Sequence, residues 1–174
     1  MAEGIVIDEA SNTVRIRRTY PAGVDRVWWA WTDAEAISRW WGPQGWATTV
    51  YEMDVRPGGR WRFQIAPEDR SADPVRSIAD YQVVDARTEL HYDAAFADQA
   101  WRPDDTGTFP TAVTFASTGT GCAVEVAASF PDGHALRRAV ELQMAEGYAE
   151  ALGRLAGLLD DIDGDHADAP TTKE

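Results

Sequence analysis

Residues 24–43 read VDRVWWAWTDAEAISRWWGP, and this stretch decides how the rest of the chain is interpreted. Its first half has the i, i+3, i+4, i+7 apolar spacing of an amphipathic helix, carried by Val24, Val27, Trp28 and Trp31. Asp33 can cap a second short helix, which Gly42-Pro43 ends because proline cannot continue the hydrogen-bond ladder. Both predicted helices carry tryptophan on the apolar side. Such clustering predicts either a dense core or the wall of an apolar cavity.

On both sides of these helices the apolar period changes to the two residues of a β-strand. One strand is predicted before them, over residues 12–20. Six strands are predicted after them, over residues 48–55, 60–65, 76–85, 89–96, 111–117 and 122–130. Their short connections, of which Pro57-Gly58-Gly59 is one tight turn, predict an antiparallel sheet.

A long helix is predicted to follow the sheet, over residues 134–161. Its apolar stripe consists of Leu136, Val140, Met144, Tyr148, Leu152, Leu155 and Leu159. Three glycines on it predict the close approach of a strand or a bound molecule: Gly147, Gly153 and Gly157. Only this helix is long enough to cover the apolar face of the sheet. We therefore predict an α+β domain in which a curved antiparallel sheet of about seven strands wraps around a long C-terminal helix.

The length of 174 residues suits one domain. We expect residues 1–11 to be an N-terminal extension, 12–161 the domain, and 162–174 a disordered acidic tail without apolar periodicity. The single cysteine, Cys122, favours a reducing compartment. No signal peptide and no apolar run of about 20 residues is present, so a cytoplasmic location is expected. All basic residues except Lys173 are arginine, which indicates a GC-rich bacterial genome.

Composition also argues against several functional classes. A formal net charge of −13 disfavours binding to nucleic acid or to anionic lipid surfaces. His91, His134 and His166 are too dispersed for a zinc site. The Gly119–Gly121 pair lies in a predicted hairpin and opens no helix, so it is not a dinucleotide fingerprint. We expect no metal and no cofactor, and a homodimer is compatible with the sequence.

Three motifs together carry a resemblance to a known family. They are the run from Val27 to Asp33, then Trp40-Trp41-Gly42-Pro43, then the run from Asp54 to Trp61 with Arg56-Pro57-Gly58-Gly59 inside it. This combination resembles the activator-of-Hsp90-ATPase homologue-like family of the START-like (SRPBCC) superfamily, over about Val14 to Leu159. The resemblance implies the helix-grip (START/Bet v 1-like) fold. It also implies binding of lipophilic or aromatic ligands, and some members of the superfamily are enzymes.

We predict that a small hydrophobic or aromatic molecule binds between the sheet and the long helix. The residues expected to line its cavity are Trp28, Trp31, Trp41, Trp61, Phe63, Tyr81, Tyr92, Phe115, Met144 and Tyr148. Tyrosine hydroxyls among them would orient the ligand. Which tyrosines face inward depends on the strand register, because a slip of one residue reverses every face.

Two other functional classes stay open. A cyclase or hydrolase would use tyrosine, histidine or carboxylate groups of the cavity for proton transfer, although no catalytic residue is identifiable. A protein-interaction, co-chaperone-like module would expose an apolar patch around Trp40, Trp46 and Trp101. Charged residues on the first hairpin have a simpler interpretation. Glu52 and Asp54 are predicted to pair with arginines 60 and 62 across the outer face of the sheet.

Overall fold

The computed structural model describes residues 4–105 and 107–167. These residues form eight strands: β1 (Gly4–Asp8), β2 (Thr13–Tyr20), β3 (Trp46–Met53), β4 (Arg60–Pro67), β5 (Val75–Asp85), β6 (Glu89–Ala97), β7 (Phe109–Thr118) and β8 (Gly121–Ser129). They also form four helices: α1 (Val24–Thr32), α2 (Ala34–Trp40), α3 (Gly133–Glu141) and α4 (Met144–Ala167). The strands make one antiparallel sheet in the order β1-β2-β8-β7-β6-β5-β4-β3. The predicted helix-grip arrangement is confirmed.

The two short helices form as their sequence predicts. Val27 and Trp31 on the apolar stripe of α1 are fully buried. The Asp33 side chain accepts a hydrogen bond of 2.9 Å from the Ala36 amide and so caps α2. The Trp40 indole N–H donates to the Ala30 carbonyl over 2.9 Å. This bond ties the end of α2 to α1, so the two helices hold the tryptophans in one block.

The core lies between the inner face of the sheet and helix α4. Strand β8 shows the alternation clearly, because Cys122, Val124, Val126 and Ala128 are all buried. Tyr20, at the end of β2, donates its hydroxyl to the Leu152 carbonyl of α4 over 2.9 Å. This buried bond joins the helix to the first long strand.

The prediction of one long helix over residues 134–161 is wrong in one respect, because the chain forms two helices there. Asp132 caps α3 by accepting from the Ala135 amide at 2.8 Å. The helix then stops where Gln143 adopts a left-handed φ of 55°. As a result, Val140 is 36% exposed although it belongs to the predicted apolar stripe, and the neighbouring Leu142 is 60% exposed.

The interpretation of the helix glycines is wrong for the approach of a strand, whereas the approach of a bound molecule stays a prediction at Gly147, which borders the space between sheet and helices. A Cβ atom placed on Gly147 would meet only the Pro43 ring at 3.9 Å, and one on Gly153 only the Arg18 guanidinium at 3.6 Å. At Gly157 it would meet nothing within 4 Å. These are ordinary contacts or open space. No strand needs these glycines to approach the helix.

The ends of the chain also differ from the prediction. Residues 4–8, assigned to an extension, form edge strand β1, which pairs with β2 from Gly4↔Arg17 to Asp8↔Thr13. All five of its residues are exposed. Because neither face of the strand is buried, its sequence does not need the alternation of apolar and polar residues that reveals other strands. Helix α4 continues to Ala167, six residues into the predicted disordered tail, and residues 168–174 lie outside the described part. Among the described helices, none combines the length and apolarity that crossing a bilayer requires.

Candidate ligand cavity

A cavity of about 770 Å³ lies between helices α3 and α4 on one side and strands β4, β5 and β6 on the other. Its volume falls within the ~300–1,000 Å³ typical of small-molecule sites. The Trp41-Gly42-Pro43 turn and Trp46 border it as well. The cavity is therefore built where the two predicted features, sheet and C-terminal helices, face each other.

One wall of the cavity is a continuous group of aromatic rings. Trp41 packs edge-to-face on Trp61, Phe63 and Tyr148, with ring centroids 4.8, 5.7 and 5.3 Å apart. Trp61 and Phe63 stack on each other at 4.3 Å. Tyr92 completes the group, 6.3 Å from Trp61. Each ring is held by others, so the wall offers a preformed apolar surface to a ligand.

Two hydroxyl groups border the same wall. The Tyr92 and Tyr148 oxygens lie 3.5 Å apart, one on β6 and the other on α4. Burial raises the pKa of Tyr92 well above its usual value, and burial also raises the pKa of Tyr148. Both hydroxyls are therefore protonated at neutral pH. They can orient a polar atom of a ligand through hydrogen bonds.

The structure brings six of the ten predicted lining residues to the cavity: Trp41, Trp61, Phe63, Tyr92, Met144 and Tyr148. The other four do not border it: Trp28, Trp31, Tyr81 and Phe115.

Those four rings pack behind the cavity wall. Trp31 contacts Trp41 at 5.7 Å and Phe115 at 6.0 Å, and Trp28 contacts Phe115 at 5.2 Å. Tyr81 contacts Tyr92 at 6.1 Å. All four belong to or pack against the hydrophobic core, and packing between α1 and β7 fills the space next to Trp31. Alternation along a strand cannot distinguish these supporting rings from those that border the open space.

Sequence reasoning missed a second aromatic group that borders the cavity. Phe109 lies between Phe96 and Phe130, at centroid distances of 6.0 and 5.8 Å. A signal for it existed. Counting outward from the turn of the β7–β8 hairpin places Phe109 opposite Phe130, two residues beyond the Thr111↔Ala128 pair.

Arg154 holds the Trp-Gly-Pro turn against helix α4. Its Nη1 atom lies 3.1–3.2 Å from the carbonyl oxygens of Trp41, Gly42, Pro43 and Trp46. One turn earlier on α4, Glu150 accepts a hydrogen bond of 3.0 Å from the Gln44 amide. The turn is thus fixed through its main chain by two side chains of opposite charge. The sequence did not reveal either role, because the partners are main-chain carbonyl and amide groups. Such groups occur in almost every residue, so the identity of the partner residue gives no signal.

The outer face of the first hairpin carries only part of the predicted ion pairs. Glu52 pairs with Arg62 at 2.6 Å, as predicted. Asp54 pairs instead with Arg56 at 2.8 Å, and Arg60 reaches across to Asp80 of β5 at 2.5 Å. A bulge between Val50 and Glu52 shifts the register of β3, and this strand ends before Asp54.

The three tryptophans considered for an exposed patch are dispersed. Trp40 is fully buried, and Trp46 borders the cavity. Trp101 packs on Tyr51 at 5.0 Å, and the guanidiniums of Arg62 and Arg76 lie 5.4 and 5.5 Å from its ring. Its ring is therefore occupied by neighbours of its own chain. Within residues 4–105 and 107–167, no group of three or more His, Cys, Asp or Glu is arranged to hold a metal ion.

Comparison with solved structures identifies proteins of the same fold. Protein Ms6760 from Mycobacterium smegmatis has 24% identity and a TM-score of 0.83, over 90% of this chain and 95% of that chain. A protein from Arthrobacter aurescens has 24% identity and a TM-score of 0.85, over 91% of each chain. A protein from Staphylococcus epidermidis has 25% identity and a TM-score of 0.78, over 90% and 94%.

No curated protein matches the chain significantly. The sequence profile of the family described as "Activator of Hsp90 ATPase homolog 1-like protein" matches residues 21–160. This match covers most of the chain and includes both tryptophan helices, the whole of β3 to β8, helix α3, and α4 as far as residue 160. The chain therefore belongs to the activator of Hsp90 ATPase homolog 1-like family.

Proposed function

We propose that this protein binds a small hydrophobic or aromatic molecule in the cavity between its sheet and its C-terminal helices. The observation that carries the proposal is the open space of about 770 Å³ beside a preformed wall of five aromatic rings. An apolar ligand placed there would lose its hydration and contact rings that are already ordered. Little conformational entropy would be lost by the protein on binding.

The chemistry of the wall favours binding over catalysis. An enzyme of the cyclase or hydrolase type needs a proton acceptor or donor near neutral pH. The titratable groups of the aromatic wall are Tyr92 and Tyr148, and burial raises the pKa of both. They can donate hydrogen bonds but cannot act as bases at neutral pH. The more acidic or basic side chains that border the cavity lie at its rim, on α3 and the loop before β7.

The test is a titration with a panel of apolar and aromatic compounds. It is followed by tryptophan fluorescence, to which Trp41 and Trp61 at the cavity contribute, and confirmed by native mass spectrometry. Ala94 borders the cavity on the same face of β6 as Tyr92, so Ala94→Phe should fill the space and weaken binding at least about tenfold. Ala116→Phe, at an exposed position of β7, is the matched control and should bind like the wild type.

Stability gives an independent readout. A ligand at about 100 times its dissociation constant for the wild type should stabilise the wild type by about 2.7 kcal/mol, and folded Ala94→Phe by about 1.4 kcal/mol or less. If no compound of the panel binds, or if Ala94→Phe binds as tightly as Ala116→Phe, the cavity is not a binding site and the proposal fails.

A further inference from the structure

We propose that the ligand is a monoanionic amphiphile, whose carboxylate binds Arg138 at the mouth of the cavity while its apolar body reaches the aromatic wall. This inference rests on the proposed function and specifies the ligand class. It is argued from the polar side chains at the rim, which differ from those inside.

Arg138 is an exposed residue of α3 that borders the cavity. Within the part of the chain that the structure describes, no hydrogen bond or ion pair engages its guanidinium. His134 lies one helical turn earlier on the same face and also borders the cavity. Apart from these two side chains, no arginine, lysine or histidine of the described residues borders the cavity.

Arg138 is not alone in lacking an ion pair, because Arg18, Arg39, Arg70 and Arg137 form none either within the described residues. It differs from these four in bordering the cavity. Acidic residues outnumber basic ones 29 to 16, so carboxylates are abundant partners. Seven other arginines pair with Asp or Glu: Arg15, Arg17, Arg56, Arg60, Arg62, Arg87 and Arg102. Arg138 thus has free donors at the entrance of a cavity whose interior wall is aromatic. A guanidinium presents them in a fork that matches a carboxylate.

Two carboxylates at the rim limit the charge that the ligand can carry. Asp132 already accepts a hydrogen bond from the Ala135 amide at the N-terminus of α3, and main-chain hydrogen bonding lowers the pKa of this carboxyl. Asp105, before β7, also borders the cavity. One free arginine beside these two groups suits a single negative charge. The paired hydrogen bonds from Arg138 are formed once, whereas repulsion from the two carboxylates grows with each charge on the ligand, so a carboxylate is favoured over a doubly charged phosphate.

The interior requires the opposite end of the ligand to be apolar. Behind the rim the walls are Phe96, Phe109 and Phe130, and then Trp61 and Phe63. The hydroxyls of the aromatic wall are neutral at physiological pH, so they neither attract nor repel a charge strongly. The cavity is therefore polar and cationic at Arg138 and apolar at depth, which sets the ligand with its acid group outward.

The experiment compares decanoate, decanol, decylamine and decyl phosphate at pH 8, below their micelle-forming concentrations, by calorimetry and tryptophan fluorescence. The proteins are the wild type, Arg138→Gln, and Arg137→Gln as the matched control. Arg137 is the neighbouring residue of α3, does not border the cavity, and lies toward Gly133 instead. We expect the wild type and Arg137→Gln to bind decanoate about tenfold or more tightly than decanol, and Arg138→Gln to lose this preference.

Each other result contradicts the inference in its own way. Equal binding of decanoate and decanol to the wild type, or an unchanged preference in Arg138→Gln, overturns the assignment of the acid group while cavity binding stands. Tightest binding of decylamine assigns recognition to the carboxylates of Asp105 and Asp132 instead of Arg138, and tightest binding of decyl phosphate overturns the single charge. If neither these amphiphiles nor the apolar panel binds to the folded wild type, the proposed function fails as well.

Discussion

The guanidinium of Arg154 lies 3.1 Å from the carbonyl oxygen of Trp41, so a side chain of α4 holds the main chain at the central ring of the aromatic wall. The same nitrogen also lies 3.1–3.2 Å from the Gly42, Pro43 and Trp46 carbonyl oxygens, among which its two hydrogens are shared. Its loss removes these bonds, although the Trp41 carbonyl keeps the Thr48 hydroxyl as a donor and the Pro43 carbonyl keeps the Trp46 amide.

Replacing Arg154 with Met should therefore lower the free energy of unfolding by about 2–4 kcal/mol and weaken ligand binding, since Trp41 is no longer held. Arg154→Lys should recover part of the stability but less of the binding, because an ammonium cannot reproduce the planar fork. Urea denaturation and the fluorescence titration measure the two effects. Stability of Arg154→Met within about 0.5 kcal/mol of the wild type would show that these bonds do not hold the turn.

Gly157 should tolerate alanine with a gain in stability. It lies exposed in α4, and a Cβ there would meet nothing within 4 Å. Gly157→Ala is expected to raise the free energy of unfolding by about 0.5–1 kcal/mol, because glycine loses more backbone entropy in a helix. Ligand affinity should not change, since Gly157 does not border the cavity. A loss of stability in urea denaturation would mean that the residue serves a contact outside the described chain.

The hydrogen bond between Tyr20 and Leu152 gives a second test of the packing between helix and sheet. Tyr20→Phe keeps the buried ring but leaves the Leu152 carbonyl without this donor. We expect a loss of about 1–2 kcal/mol in the free energy of unfolding, measured by chemical denaturation. The exposed Tyr51→Phe is the control and should stay within about 0.5 kcal/mol.

Tyr81 should make the protein sensitive to alkaline pH. Burial raises the pKa of its hydroxyl far above the ordinary value of about 10, so the folded chain keeps a proton that the unfolded chain releases. Its stabilising effect is complete below about pH 10 and declines as pH rises through the folded pKa. Between pH 9 and 11, the stability of Tyr81→Phe should fall less steeply than that of the wild type. Parallel curves would contradict this assignment.

Prediction from sequence succeeded where the turn residues glycine and proline agree with the spacing of the apolar residues. Gly42-Pro43 and Pro57-Gly58-Gly59 mark ends that the structure confirms, and the six strands after the helices occur in the predicted order. The break between α3 and α4 was missed because Gln143, neither glycine nor asparagine, adopts the left-handed conformation. Edge strand β1 was missed because its neighbours bury none of its side chains.

The prediction of the residues that line the cavity was limited in the same way. Six predicted lining residues border it because tryptophans and tyrosines on inward faces must lie near the space between helix and sheet. The other four could not be distinguished from them by sequence. Only the tertiary packing determines which rings border the cavity and which rings pack behind them. The residues of the rim were missed for another reason. Arg138 borders the cavity because the chain bends at Gln143, and that bend is invisible in the sequence.

The pairing of β2 with β8 also has a consequence for how the chain acquires its structure. Thr13 is opposite Ser129, so the first long strand has no complete partner on its β8 side until 129 of the 174 residues have been synthesised. Such distant pairings slow folding, and mixed α/β domains rich in them commonly fold in milliseconds to seconds. On the ribosome, strands β3 to β7 can pair with their neighbours as they emerge. The cavity exists only after the last strand and both C-terminal helices have joined them, so a chain truncated before α3 would keep all eight strands but lack the helical side of the site.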